Sequence, residues 1–172
     1  MKDLEIVTLD PTDWEIYKNL RLRALKEDPQ AYYSTYADNV TRPNDFWMAR
    51  LNDAAKGQTQ WLVFAKLQRK VVGMMGAFAE KEIDNAHIIS VYVAPEARGQ
   101  GISKLLMHDL ISKIKQNKLI KKITVEVNPI QLPAFNLYKN SGFEEVLRYK
   151  MVLGDGKEHD VVVLEQLTTP TS

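Results

Sequence analysis

The segment 86–127 constrains the fold more than any other. "AHIISVYVA" (86–94) reads as a strand, "ISKLLMHDLISKIKQNK" (102–118) as an amphipathic helix and "KKITVEV" (121–127) as a second strand. In the helix, Ile102, Leu105, Leu106, Leu110 and Ile114 share one face. In the second strand Ile123, Val125 and Val127 face one way and Thr124, Glu126 and Asn128 the other. Two strands joined through a helix lie parallel, whereas a short turn joins antiparallel neighbours. Hairpin patterns flank this crossover on both sides. "WLVFAK" (61–66) and "VVGMMGAFAE" (71–80) precede it around "LQRK", and "FEEVLRYKMVL" (143–153) and "HDVVVLEQL" (159–167) follow it around "GDGKE". The expected product is an α/β domain with a mixed sheet.

The remaining segments complete the order β-α-α-β-β-β-α-β-α-β-β. "LEIVTL" (4–9) is a short first strand. "DPTDWEIYKNLRLRALKEDP" (10–29) is a helix with Asp10 as its cap, Pro11 in its first turn and Pro29 at its end. Trp14, Tyr17, Leu20 and Ala24 recur along it at helical spacing. Residues 31–57 form a second helical region interrupted at Pro43, and 132–142 a short helix stopped by Gly142. With no repeat or linker, the 172 residues read as one domain, 1–172.

Charge and composition exclude several classes. The formal net charge is +1, which favours no polyanion, and no nucleic-acid partner is expected. The densest basic cluster, Lys113, Lys115, Lys118, Lys121 and Lys122, suits the C-terminal end of a helix. The absence of cysteine removes disulfides, thiolate catalysis and cysteine-ligated zinc, and no metal site is expected. No apolar run reaches membrane-spanning length, and acidic residues occupy the N-terminal stretch where a signal peptide would be apolar. The reading is a cytoplasmic protein without a membrane partner.

The stretch "VAPEARGQGISKLL" carries the chemistry. A phosphate needs converging N–H donors and positive potential, and a helix N-terminus supplies both. Gly99 and Gly101 permit close approach to the backbone, and Arg98 and Lys104 add charge. The order Gly, four residues, Gly-Lys-Ser/Thr is missing, and position 104 is Lys where a dinucleotide fingerprint has Gly. Taken alone, the stretch reads equally as a glycine turn before a helix.

The segment "VYVAPEARGQGISKLL" resembles the acetyl-CoA-binding segment of the GCN5-related N-acetyltransferases, whose pattern is R/Q-x-x-G-x-G/A at a strand-to-helix junction. Arg98 and Gly101 match, and Ser103 stands where Gly or Ala is usual. "AFNLYKNSGF" resembles the family's second signature, A-x-x-L-Y-x-x-x-G-F, at every defined position. The family often has Asn three residues before that Ala, where this chain has Gln131. The element order is similar over nearly the whole chain.

The resemblance implies a splayed central pair of parallel strands with flanking helices, and acetyl-CoA as co-substrate between 88–93 and 123–127. It implies that the backbone of Val91, Tyr92 and Val93 binds pantetheine, one N–H polarising the thioester carbonyl. The pyrophosphate would lie on Arg98, Gly99, Gln100, Gly101, Ile102 and Ser103, with Asn128 and Gln131 near the cofactor. Tyr138 matches the family's general acid for the departing thiolate. Some relatives carry Glu six residues before the Val that ends the cofactor strand; here that position is His87, a candidate base. Glu126 is a weaker candidate.

The acceptor pocket would come from the first two helices and the last hairpin. Tyr32, Tyr33, Tyr36, Phe46 and Trp47 are its candidate aromatics, and Glu144 and Glu145 candidate attractants for a cationic amine. The implied activity is N-acetyl transfer to a primary amine of a small molecule or protein. The alternatives are a non-catalytic acyl-CoA sensor or interaction module, or a transferase using a longer acyl-CoA. The terminal hairpin offers an edge strand, so the chain is read as a monomer or homodimer.

Overall fold

A computed structural model describes residues 3–80 and 84–169. Seven strands form one sheet in the order β1-β2-β3-β4-β5-β7-β6. They are β1 (Leu4–Val7), β2 (Gln60–Leu67), β3 (Lys70–Ala79), β4 (Asn85–Val93), β5 (Lys122–Val127), β6 (Glu144–Val152) and β7 (Glu158–Leu167). Among the described residues only β4 and β5 run parallel; every other neighbouring pair is antiparallel. The crossover between them is α4 (Ile102–Gln116), as the alternation of patterns required. The β2–β3 hairpin turns through Gln68 and Arg69, both at positive φ (47° and 69°), the backbone of a tight two-residue hairpin.

The other helices are α1 (Trp14–Glu27), α2 (Tyr36–Val40), α3 (Asn44–Lys56) and α5 (Leu132–Asn140). Asp10 does cap the start of the first helical segment, reciprocally with Asp13, but over a 3-10 turn (Pro11–Asp13) that leads into α1. Region 31–57 is interrupted at Pro43 as expected, because proline bars a continuous ladder; α2 precedes the break, capped by Thr35, and α3 follows it. Residues 32–35 between Ala31 and α2 carry no helix.

Helices cover both faces of the sheet, which is why Trp61 to Ala65 are buried without alternation. Phe64 meets Tyr17 of α1 edge-on at 5.8 Å, and Tyr17 meets Trp47 of α3 at 5.2 Å. Gly73 pairs with Ala65 and so points the other way, where a Cβ would lie 3.2 Å from Leu106 of α4. α4 buries Ile102, Leu106, Met107, Leu110 and Ile114; Leu105, expected on that face, is 46% exposed. Met107 takes the inward position because the buried stripe is wider than the strict spacing suggests. β6 is exposed along almost its whole length at the sheet edge.

Candidate active site

The parallel pairing of β4 and β5 ends early. It runs from Asn85↔Lys122 to Ile88↔Val125 and no further, although β4 continues to Val93. Just beyond the last pair β4 carries a bulge. Gly76 pairs with Ile89 and Met74 with Tyr92, so Ser90 and Val91 together face Met75. Ser90 sits at φ 58°, an uncommon conformation for a non-glycine residue. The extra residue turns this part of β4 out of register and opens a gap beside β5. A cavity of about 1630 Å³ occupies that gap, bounded by β4, β5, the start of α4, α5 and the segments before and within α3.

At one end the cavity meets the start of α4. Gly99 and Gly101 both have φ 75°, and a Cβ on either would meet nothing within 4 Å. The first bond of the helix runs from the Leu105 N–H to the Gly101 carbonyl, 3.3 Å. The N–H groups of Ile102, Ser103 and Lys104 therefore precede the helical ladder and point out of its end. No acidic residue lies in this first turn. An anion fits this chemistry. Gln100 is exposed, Ser103 half-buried, and the Ile102 side chain enters the core.

Arg98 is braced rather than free. Its Nε donates to the Val93 carbonyl at 2.9 Å and its Nη2 to Asp28 at 2.8 Å, which leaves Nη1 without a protein partner among the described residues. The Val91 carbonyl is likewise engaged: the Tyr32 hydroxyl donates to it at 2.8 Å. Two of the backbone acceptors expected to meet a ligand are thus held by side chains, and Tyr32 acts on β4 itself rather than only lining an acceptor pocket. The Tyr92 side chain points elsewhere and donates to Glu27 at 2.5 Å, tying the end of α1 to β4.

Tyr138 lies on α5, 2% exposed, edge-on to Phe143 at 5.9 Å, and borders the cavity. Burial, reinforced by nearby Tyr32, pushes its hydroxyl above the usual tyrosine range, so the group keeps its proton. Asn128 is buried at the end of β5. Its side chain accepts from the Ile130 N–H (3.2 Å) and donates to the Gln30 carbonyl (3.4 Å), which gives it a turn-holding role beside the cavity. Gln131 precedes α5 and lines the same wall.

His87 borders the cavity from β4. Its Nδ1 lies 2.9 Å from the Thr124 hydroxyl, which in turn accepts from Asn85 at 3.0 Å. Burial lowers its pKa below 6.5, against the opposing pull of Glu126 and Glu80. Glu126 accepts a hydrogen bond from the Tyr33 hydroxyl, whose oxygen lies 3.0 Å from that of Tyr149 on β6. Burial first, then the bond to Glu126, raises the Tyr33 pKa. Glu144 and Glu145 are exposed on β6, and Glu145 pairs with Arg148. Tyr36 is exposed, Phe46 lines the cavity, and Trp47 is a core residue 1% exposed whose side chain also borders it. Tyr149, Asp28, Arg21 and Arg50 were not singled out by sequence; only the pairing of Thr124–Glu126 with β7 and the packing of α1 on α3 bring them here.

The sequence profile of the acetyltransferase (GNAT) family matches residues 14–143. An N-alpha-acetyltransferase of Sulfurisphaera tokodaii is 29% identical over 76 residues, 44% of this chain and 46% of that protein, so the match spans under half the relative's length. Among solved structures, a GNAT-family acetyltransferase of Streptococcus pneumoniae superposes with TM-score 0.84 at 19% identity, over 96% of this chain and 99% of the other. A putative acetyltransferase of Salmonella typhimurium, solved with acetyl-CoA, gives 0.83 at 15% identity, over 99% and 97%. A spermidine N-acetyltransferase of Vibrio cholerae, solved with CoA and spermine, gives 0.76 at 17%, over 98% and 97%.

Proposed function

The chain belongs to the GNAT acetyltransferase family, and from that footing we propose that it moves an acetyl group from acetyl-CoA to a primary amine by direct attack. The observation that carries this reading is the gap where β4 parts from β5. It joins the unpaired N–H groups of α4 at one end to Tyr138 and His87 farther along.

Acetyl-CoA supplies a thioester-activated acetyl group. The first turn of α4 and the open glycines 99 and 101 hold its phosphates, and Arg98 Nη1 remains to add a donor at the rim. Val91, Tyr92 and Val93 align the pantetheine through their backbone, and one of their N–H groups faces the thioester oxygen. Tyr138 holds its proton until the sulfur departs, then donates it. His87 enters neutral and accepts the proton of the attacking amine, with Glu126 on the neighbouring strand drawing the cationic amine in. Asn128 and Gln131 keep the β5–α5 turn in place against the cofactor.

The test is calorimetry with acetyl-CoA and CoA, followed by release of free thiol over a panel of polyamines, aminoglycosides, amino acids and peptides. Saturable binding with thiol release on at least one amine class is expected. No binding at millimolar ligand defeats the proposal, and binding without turnover on any amine would make the protein an acyl-CoA sensor. Competition by longer acyl-CoA esters identifies the acyl group used.

A further inference from the structure

Three guanidinium groups lining the cavity have no carboxylate within ion-pair distance among the described residues, although Asp38 and Glu80 line the same cavity. Arg21 on α1, Arg42 in the link between α2 and α3, and Arg50 on α3 all line it. Among the described residues, Arg23, Arg98 and Arg148 each meet a carboxylate, whereas these three make no salt bridge and no side-chain hydrogen bond. Arg21 Nη1 and Arg50 Nε are fully buried and unpartnered. Aromatic faces hold the groups in place. The Arg21 guanidinium lies 4.6 Å from the centre of the Tyr32 ring, and those of Arg42 and Arg50 lie 4.9 and 5.7 Å from the centre of Phe46. Burial first, and proximity to Arg50 as well, lower the Arg21 pKa. A buried cation without a partner is costly, and two adjacent ones are costlier.

This cluster is separate from the phosphate end. Asp28, which anchors Arg98 there, is seven residues beyond Arg21, about 10 Å along the α1 direction. Tyr32 fixes its relation to the bulge instead, since its ring carries Arg21 and its hydroxyl holds Val91. Glu126 and His87 lie on the same cavity and provide the complementary charge and proton acceptor. The cavity therefore has one end that seeks an anion and another that receives a cationic amine.

We propose that Arg21, Arg42 and Arg50 form a carboxylate pocket, and that the acceptor is a primary amine that also carries a carboxylate. This rests on the acetyltransferase reading above. A planar fork matches a carboxylate in two-point contact, and several forks on one cavity wall define its position. Two sources share this chemistry: a free amino acid, or a peptide whose first residue is acidic.

The test compares matched pairs. One arm measures kcat/KM for L-amino acids against their amides, which keep the amine and lose the carboxylate. A second arm compares peptides beginning with Asp or Glu against those beginning with Asn or Gln. In one arm the carboxylate member is expected to win by about tenfold or more, the discrimination that charged hydrogen bonds supply; that arm identifies the source. Arg21→Gln and Arg50→Gln are expected to bring the ratio towards one, and Arg50→Lys to keep part of it. The pocket is overturned if the wild-type protein treats acid and amide alike in both arms, or if the Gln variants keep the ratio. Titration of the same pairs into the CoA-loaded protein gives a readout without turnover. Arginine-dependent binding of the acid with no acetylation would sink the transferase reading and leave the pocket standing. Equal binding of acid and amide would sink the pocket alone.

Discussion

Gly154, in the turn between β6 and β7, predicts a defect that reaches the cavity from a distance. Its N–H donates to the Tyr32 carbonyl at 2.7 Å. A Cβ placed there would lie 2.8 Å from the Pro29 carbonyl oxygen and 3.0 Å from those of Tyr32 and Ser34. All three are backbone atoms, so no flexible side chain can swing aside. Gly154→Ala must push the turn away from residues 29–34, at about 1–2 kcal/mol for overpacking and about 1 kcal/mol for the weakened hydrogen bond. The total, about 2–3 kcal/mol, corresponds to a fall in Tm of about 4–12 °C for a chain of this size. Gly156, two residues on, is the control. It has φ 76° and open space around a Cβ, so Gly156→Ala carries only the left-handed backbone strain, about 1 kcal/mol. Thermal unfolding of both variants reads the difference. The displaced segment carries the Tyr32 hydroxyl that holds Val91 and the Tyr33 hydroxyl on Glu126. The kcat/KM for the amine should therefore fall several-fold further in Gly154→Ala than in Gly156→Ala. If Gly154→Ala melts with or above Gly156→Ala, the steric argument is wrong.

Three further predictions concern protons. Tyr138→Phe is expected to lower kcat about 10²–10⁴-fold while acetyl-CoA affinity, read by calorimetry, stays near the wild-type value; equal loss of both would mark the tyrosine as structural. Because burial holds the His87 pKa below 6.5, the acid limb of kcat/KM against pH is expected to lie below that value, and the raised Tyr138 pKa puts any alkaline fall above pH 10; an acid limb centred above 6.5 would remove His87 as the base. The same shift affects stability. The unfolded chain binds a proton on His87 more readily than the folded one, so this contribution is intact above pH 6.5 and is lost as pH falls below it. His87→Gln, followed by urea unfolding at pH 7.5 and pH 5.5, should show a smaller loss between those pH values than the wild-type protein.

The legible parts of this fold are those specified over short stretches. The crossover 86–127, the hairpins and the cap at Asp10 follow from local periodicity and turn chemistry, and all stand in the structure. The glycine loop was legible for the same reason, since two glycines before an amphipathic helix require no distant partner. The bulge at Ser90 was not. Nothing in "IISVYV" marks an extra residue, because the bulge exists only in the register with β3. Residues 31–57 misled for a related reason. Their composition is helical, yet 32–35 are drawn off by the Tyr32 hydroxyl on β4 and by the contact of the Tyr32 carbonyl with Gly154, more than a hundred positions away.

The arginines make the same distinction for function. Arg21, Arg42 and Arg50 each sit in a stretch where a surface cation is ordinary, at spacings of 21 and 8 residues that match no motif. Packing of α1 on α3 brings them to one cavity, with the Arg21 guanidinium over the Tyr32 ring and that of Arg42 over Phe46. The groups that would bind acetyl-CoA come from two continuous segments, 91–103 and 128–138, so a local pattern can carry them. The groups that would choose the acceptor come from α1, the α2–α3 link, α3, β5 and β6, and meet only after folding. A reaction read from motifs is for that reason better specified than its second substrate, and it is charge left unpaired in the folded cavity that would narrow the acceptor to the proposed amine bearing a carboxylate.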